Sequence, residues 1–170
     1  MDKRYLLIIF ILIFSCVNLY FIVINSDTIG TASVSFDNYT LSLPEGFDLY
    51  ENRGDSIVLH NSKTGVFIAV YSVDSYNYTK DLNYYKNDSN ATVFSTGDIK
   101  VDDTSVNSIF YKAFDDNNNR SFNYSKFYFT KENHPFCITV AGFDYNNDKN
   151  STVDILIDIV TSLRINYKQM

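Results

Sequence analysis

His134 and Cys137 stand three residues apart in the run H-P-F-C, and a thiol beside an imidazole is the smallest unit of nucleophilic catalysis. The spacing works against that use. Both residues fall in a strand-like run, where side chains at i and i+3 point to opposite faces unless Pro135 bends the chain. Cys137 also sits in the apolar run Phe136-Cys137-Ile138-Thr139-Val140-Ala141, where a free Cys packs as a small hydrophobe and stays protonated. His60 stands alone at the end of another predicted strand. With two His, and with Cys16 as the only other Cys, no zinc ligand set is present by spacing.

Two acidic stretches invite a calcium reading, Asp115-Asp116-Asn117-Asn118-Asn119 and the segment from Asp144 to Asp148. An EF-hand loop needs Gly at its sixth position and Glu at its twelfth. Counted from Asp115 those positions hold Arg120 and Lys126, and counted from Asp144 they hold Lys149 and Ile155. Both stretches are therefore predicted to be solvated turns. No G-x-S-x-G, Walker A or G-x-G-x-x-G run occurs. The 20 acidic residues are scattered, so no carboxylate pair of glycosidase type can be chosen by spacing. No metal and no cofactor is expected. The aromatics of Ser121-Phe122-Asn123-Tyr124-Ser125-Lys126-Phe127-Tyr128-Phe129 could stack on bases or sugars. In a half-buried strand such residues more often form core on one side and cross-strand pairs on the other.

N-x-[ST] is the clearest surface motif, at Asn38, Asn77, Asn87, Asn90, Asn119, Asn123 and Asn150. The abundance of Asn, Ser and Thr gives about three such matches by chance, so seven is an excess. Several lie in predicted turns, and all are candidate glycosylation sites on an exposed domain.

These residues must be held by a chain of 170 residues, enough for one domain and an appendage. The net charge of −6 disfavours binding to nucleic acid, since affinity there comes from neutralising phosphates. Two Cys exclude a disulfide framework.

The appendage is the uncharged run from Tyr5 to Ile24, 20 residues that as a helix reach about 30 Å, the thickness of a bilayer core. Apolar residues lie on every side of it, and Lys3 and Arg4 precede it, which predicts an N-terminus in the cytoplasm. A cleaved signal peptide is the rival, but the run exceeds a typical h-region and no small-x-small site follows closely. A lipobox ending at Cys16 is a third reading, opposed by Phe14 and by the apolar residues after Cys16. The expected organisation is a cytoplasmic tail at 1–4, a transmembrane helix or signal anchor at 5–25, and a linker at 26–32. An extracytoplasmic domain at 33–166 and a tail at 167–170 follow.

From residue 32 onward, short runs of Val, Ile, Tyr, Phe and Thr alternate with Asn/Asp/Gly clusters, the composition of strands and turns. Strands are predicted near 32–36, 39–43, 56–60, 66–73, 91–101, 105–114, 121–130 and 136–143. The short links between them, such as Pro44-Glu45-Gly46, Asn61–Gly65 and Asn133-His134-Pro135, favour antiparallel pairing. The runs 66–71 and 136–141 are apolar on both alternating sets, which predicts central strands covered on both faces. Two helices could supply the cover. One spans 152–163, with Val153, Leu156, Ile157, Val160 and Leu163 inward and Ser151 as N-cap. The other spans 79–87, capped by Thr79, with Tyr78, Leu82 and Tyr85 inward.

The segment Asn38-Tyr39-Thr40-Leu41-Ser42-Leu43-Pro44-Glu45-Gly46-Phe47 resembles the opening of PsbP-like domains, in which an aromatic-led strand enters a Pro-x-Gly-aromatic turn. Ile159-Val160-Thr161-Ser162-Leu163-Arg164-Ile165 resembles the closing helix of that family. Phe47 stands where the family often has Trp. The resemblance covers about residues 33–166 and implies an α+β fold, an α/β/α sandwich with a central antiparallel sheet. It also implies a non-enzymatic binding or assembly role, closest to archaeal-type membrane-anchored cell-surface relatives.

The function expected from these residues is a membrane-anchored extracytoplasmic binding or scaffold domain. Its partner would be a cell-envelope protein or a glycan, and not nucleic acid. The alternative is a cell-surface hydrolase using Cys137 with His134, or a carboxylate pair brought together by folding. A structural cell-envelope component is a third possibility that the sequence does not separate from the first.

Overall fold

A computed structural model of the protein describes residues 32–115 and 119–166, with residues 145–150 described by backbone alone. Contacts divide the chain into two units, Met1–Ala32 and Ser33–Met170. The expected tails at 1–4 and 167–170 and the membrane segment at 5–25 lie outside the described residues, as does most of the linker. No helix among the described residues is long and apolar enough to cross a membrane.

Among the described residues ten strands and two helices follow one another: β1 (Ser33–Phe36), β2 (Tyr39–Ser42), β3 (Asp48–Asn52), β4 (Ser56–Asn61), β5 (Val66–Ser72), α1 (Tyr78–Asn87), β6 (Ala91–Val101), β7 (Thr104–Asp115), β8 (Arg120–Lys131), β9 (His134–Ala141), α2 (Tyr145–Ser162) and β10 (Arg164–Ile165). Seven strands form one sheet in the order β3-β4-β5-β9-β8-β7-β6, and β1, β2 and β10 form a small second sheet. Every pairing is antiparallel. The domain is thus mostly sheet with two helices, and the expected antiparallel centre is present.

The tight links follow from local chemistry. Between β8 and β9 the turn is Glu132-Asn133, both at positive φ, the geometry that suits the twist of a two-residue hairpin. The sequence placed this turn one residue later, so His134 and Pro135 belong to β9 and not to the turn. After β2, Phe47 N–H donates to the Pro44 carbonyl at 3.1 Å, with Gly46 at φ 79, as a type II turn requires. That turn delivers Phe47 into the core, where it is 7% exposed.

The larger core cluster lies on one face of the large sheet, and a smaller one of Ile109, Tyr111, Tyr128 and Cys137 lies on the other. In the larger cluster Ile57 and Leu59 of β4, Ile68 and Val70 of β5, and Ile138 and Val140 of β9 are fully buried. They pack against Leu156, Ile159, Val160 and Leu163 of α2 and against Phe36, Tyr39 and Leu41 of the small sheet. Lys131 donates to the Val160 carbonyl and Arg164 to the Thr161 carbonyl, so two cations satisfy the C-terminal end of α2.

Five expectations need correction. α2 begins at Tyr145 and not near 152, so Ser151 lies inside it and is not its N-cap. The Asn and Asp of its first two turns cost only tenths of a kcal/mol each, which an ongoing packed helix overrides. Of the Asp144–Asp148 stretch, expected as a solvated turn, Asp144 precedes the helix and residues 145–148 form its first turn. Ile157 points outward at 37% exposure, and Ile159 takes its inward place. α1 is capped by Asn77, whose Oδ1 accepts from Lys80 N–H at 2.9 Å, and not by Thr79. β3 and β10 were not expected at all; β3 is mostly exposed and β10 has two residues, so neither shows an apolar alternation.

Candidate functional site

The second face of the large sheet is different. Register places Phe67, Ala69 and Tyr71 of β5 beside Ala141, Thr139 and Cys137 of β9, and these beside Tyr124, Lys126 and Tyr128 of β8. α1 is the helix on this side, and it packs on β6 and β7. Its ten residues reach about 15 Å, whereas seven strands span about 29 Å. Among the described residues, no helix lies over the β4-β5-β9 part of the face. Val58, Ala69, Tyr71, Thr139 and Ala141 are half-buried, and Phe67 is 37% exposed. This corrects the expectation that the runs 66–71 and 136–141 are covered on both sides.

Beside α1 this face sinks into an open cleft of about 510 Å³, a size typical of small-ligand sites. Tyr71, Tyr76 and Tyr128 give it aromatic walls, Thr139 and Cys137 lie on its sheet side, and Asp81 and Lys126 supply charge. Tyr128 O–H donates to Asp81 Oδ2 at 2.6 Å. Lys126 Nζ stands 3.6 Å from the same oxygen, beyond a hydrogen bond. The ammonium lies 5.6 Å from the Tyr85 ring centroid and 5.9 Å from that of Tyr128, within cation–π range. Tyr85 stacks on Tyr111 at 4.0 Å and Tyr111 on Tyr124 at 5.3 Å, which buttresses the wall behind Lys126.

Charge states follow from these contacts. Burial opposes the Lys126 cation, but Tyr85, Cys137 and Asp81 outweigh it and raise its pKa. Burial, with the Asp81 hydrogen bond second, holds the Tyr128 phenol well above its usual range, so it is a hydrogen-bond donor and not a base. Burial also pushes the Cys137 thiol up to about 11.

The residues singled out by sequence are dispersed. His134 and Cys137 are brought onto one strand but point to opposite faces, and the β8–β9 register runs through Pro135 without a bulge. His134 lies 5.7 Å from Tyr39 on the core side, and Cys137 belongs to the α1 side at 8% exposure. His60 stacks on Phe67 at 4.2 Å, with Tyr50 edge-on to Phe67 at 5.6 Å. No group of three or more metal-ligating residues occurs among the described residues. Asn38, Asn77, Asn87, Asn90 and Asn119 are exposed. Asn123 lies inside β8, half-buried, and donates through Nδ2 to the Phe143 carbonyl at 2.9 Å. Asn150 falls within α2, and its side chain is outside the described residues.

Tyr128 lay in the aromatic run read as able to stack on sugars, but Asp81, Lys126, Tyr71 and Tyr76 escaped as site residues because they come from α1, β8, β5 and the β5–α1 loop, far apart along the chain. One signal was available: Lys126 is the lone cation inside an aromatic strand, at a position that alternation puts on the same face as Tyr124 and Tyr128.

No protein-family model matches the chain, and no curated protein matches it. Solved structures do resemble it. The Ran-binding protein Mog1p of Saccharomyces cerevisiae aligns over 81% of this chain and 97% of its own, at 10% identity and a TM-score of 0.48. A Pseudomonas aeruginosa protein of unknown function aligns over 76% and 96%, at 9% identity and 0.47. The cyanobacterial PsbP, CyanoP, of Synechocystis aligns over 81% and 95%, at 16% identity and 0.45.

Proposed function

We propose that this chain is a non-catalytic binding domain of PsbP-like type, anchored to the membrane by residues 5–24 and displayed outside it. The observation that carries the binding role is the half-bare sheet face beside α1. A sheet face without a covering layer leaves apolar surface in water unless a partner uses it. Here that face is shaped into a cleft, with aromatic walls and a few convergent polar groups. Its thiol is held protonated, its phenol donates to a carboxylate, and its imidazole candidate lies on the far side of the sheet. Those are states suited to holding a ligand and unsuited to attacking one.

The anchor and the outside location rest on the uncharged run and on Lys3 and Arg4 before it. Display of the archaeal-type kind also agrees with exposed sequons at Asn38, Asn77, Asn87, Asn90 and Asn119, which are the proposed glycosylation sites. Asn123 is a poor acceptor because it is half-buried and its amide donates to the Phe143 carbonyl.

The test uses the full-length chain in cells. It should sediment with membranes, resist extraction by alkali, and lose its domain to protease added outside. Esterase, peptidase and glycosidase substrates should show no turnover. A soluble mature chain starting after residue 24 would remove the anchor. Turnover abolished by Cys137→Ser would replace binding with catalysis.

A further inference from the structure

Within the cleft one acidic and one basic group stand side by side without satisfying each other. Asp81 spends Oδ2 on the Tyr128 hydroxyl, and Lys126 Nζ stands 3.6 Å from that same oxygen. The pair thus presents Asp81 Oδ1 as acceptor and the ammonium as donor, next to one another. A vicinal diol fits this arrangement, because one hydroxyl can donate to the carboxylate while its neighbour accepts from the ammonium. The flanking Tyr71 and Tyr76 offer ring surface to the C–H face of a sugar ring, where no hydrogen bond is needed. Tyr71, Ala69 and Phe67 then run along one strand face for about 13 Å, with only a methyl between the two aromatic residues. Tyr50, 66% exposed on the bulge of β3, stands over the far end beside Phe67 and His60.

Charge selects among ligands. Asp81 and Lys126 compensate each other, Lys80 at the rim is exposed and screened, and the chain as a whole carries −6. The inner charges of the site thus form a compensated pair, the remaining cation is at the solvated rim, and the acidic chain around them disfavours polyanions.

We propose that this cleft binds a neutral oligosaccharide, with one ring against Tyr71 and Tyr76, its vicinal hydroxyls shared by Asp81 and Lys126, and further rings running over Ala69 toward Phe67 and Tyr50. The proposal rests on reading the cleft as a binding site, and it names the ligand class.

The full-length chain, held in a detergent without a sugar headgroup, is titrated with cellotriose, mannotriose, chitotriose and a glucuronate trisaccharide. Saturation-transfer NMR reads the ligand, and tyrosine ring resonances read the site. At least one neutral trisaccharide should bind, with equal affinity at about 0.1 and 1 M salt, where the screening length falls from about 10 to 3 Å. Asp81→Asn and Lys126→Met should each weaken it by about tenfold or more. Tyr76→Ala, at the wall of the cleft, should weaken binding while the circular dichroism stays that of the parent, which guards against misfolding of the charge variants. Binding of the glucuronate alone, lost at high salt, would overturn the neutral assignment. Binding of none would overturn the sugar assignment, while the membrane and turnover results of the preceding test would stand unaffected.

Discussion

The thiol of Cys137 shows how a reactive residue type becomes an inert one. Burial raises its pKa from 9.0 to about 11, with Lys126 opposing and Asp81 reinforcing the shift. Slow reaction with a thiol reagent at neutral pH is expected in the folded chain, and rapid reaction after denaturation. The same shift sets the alkaline limit of stability. Between pH 9 and 11 the unfolded thiol has lost its proton while the folded one keeps it, so stability falls as pH rises. The raised phenols of Tyr111 and Tyr128 act in the same direction above their ordinary value of 10.0. Denaturant melts should therefore show a midpoint that declines from about pH 9 upward, and Cys137→Ala should flatten the first part of that decline. Ser125 makes a second residue-scale case. Its hydroxyl is fully buried with no hydrogen-bond partner. Ser125→Ala removes an unsatisfied group and should leave stability unchanged or raise it by up to about 1 kcal/mol in a urea titration.

Helix faces separate what periodicity can and cannot settle. The spacing of Leu156, Val160 and Leu163 was legible, and all three are buried. Ile157 fits a stripe of similar width by sequence, yet it faces outward. An apolar residue at the edge of a stripe is assigned by what packs there, and that depends on β2 and the small sheet. Leu156→Asp should cost several kcal/mol, because it buries a charge without a partner. Ile157→Asp should change stability by less than about 0.5 kcal/mol. Equal losses in thermal melts of the two variants would mean that α2 packs on a different face. α1 depends on its cap, and Asn77→Ala should lower stability by about 1 kcal/mol. The strands that pair in hairpins were visible because turn residues and alternation are local. β3 was not, since an edge strand in water has no apolar face to reveal it.

Across the whole molecule, two sheet faces are treated differently, and the sequence concealed this. Phe67 and Ala69 alternate with Ile68 and Val70 as apolar residues, so composition implies cover on both sides of β5. Cover depends instead on helix length and placement, and α1 is too short and lies over β6 and β7. The cleft is the product of that shortfall, built from four elements that meet only after folding. Both edges of the sheet carry bulges, at Tyr50 in β3 and Phe94 in β6, which discourage edge-to-edge pairing. Openness is tested most directly by placing a thiol on either side of one strand in a full-length Cys16→Ser, Cys137→Ala background. Ala69→Cys, half-buried on the open face, should react with a maleimide in the native protein, more slowly than in the unfolded chain. Ile68→Cys, one residue away on the core side, should react only after unfolding. Protection of both positions in the native protein would contradict an open binding face.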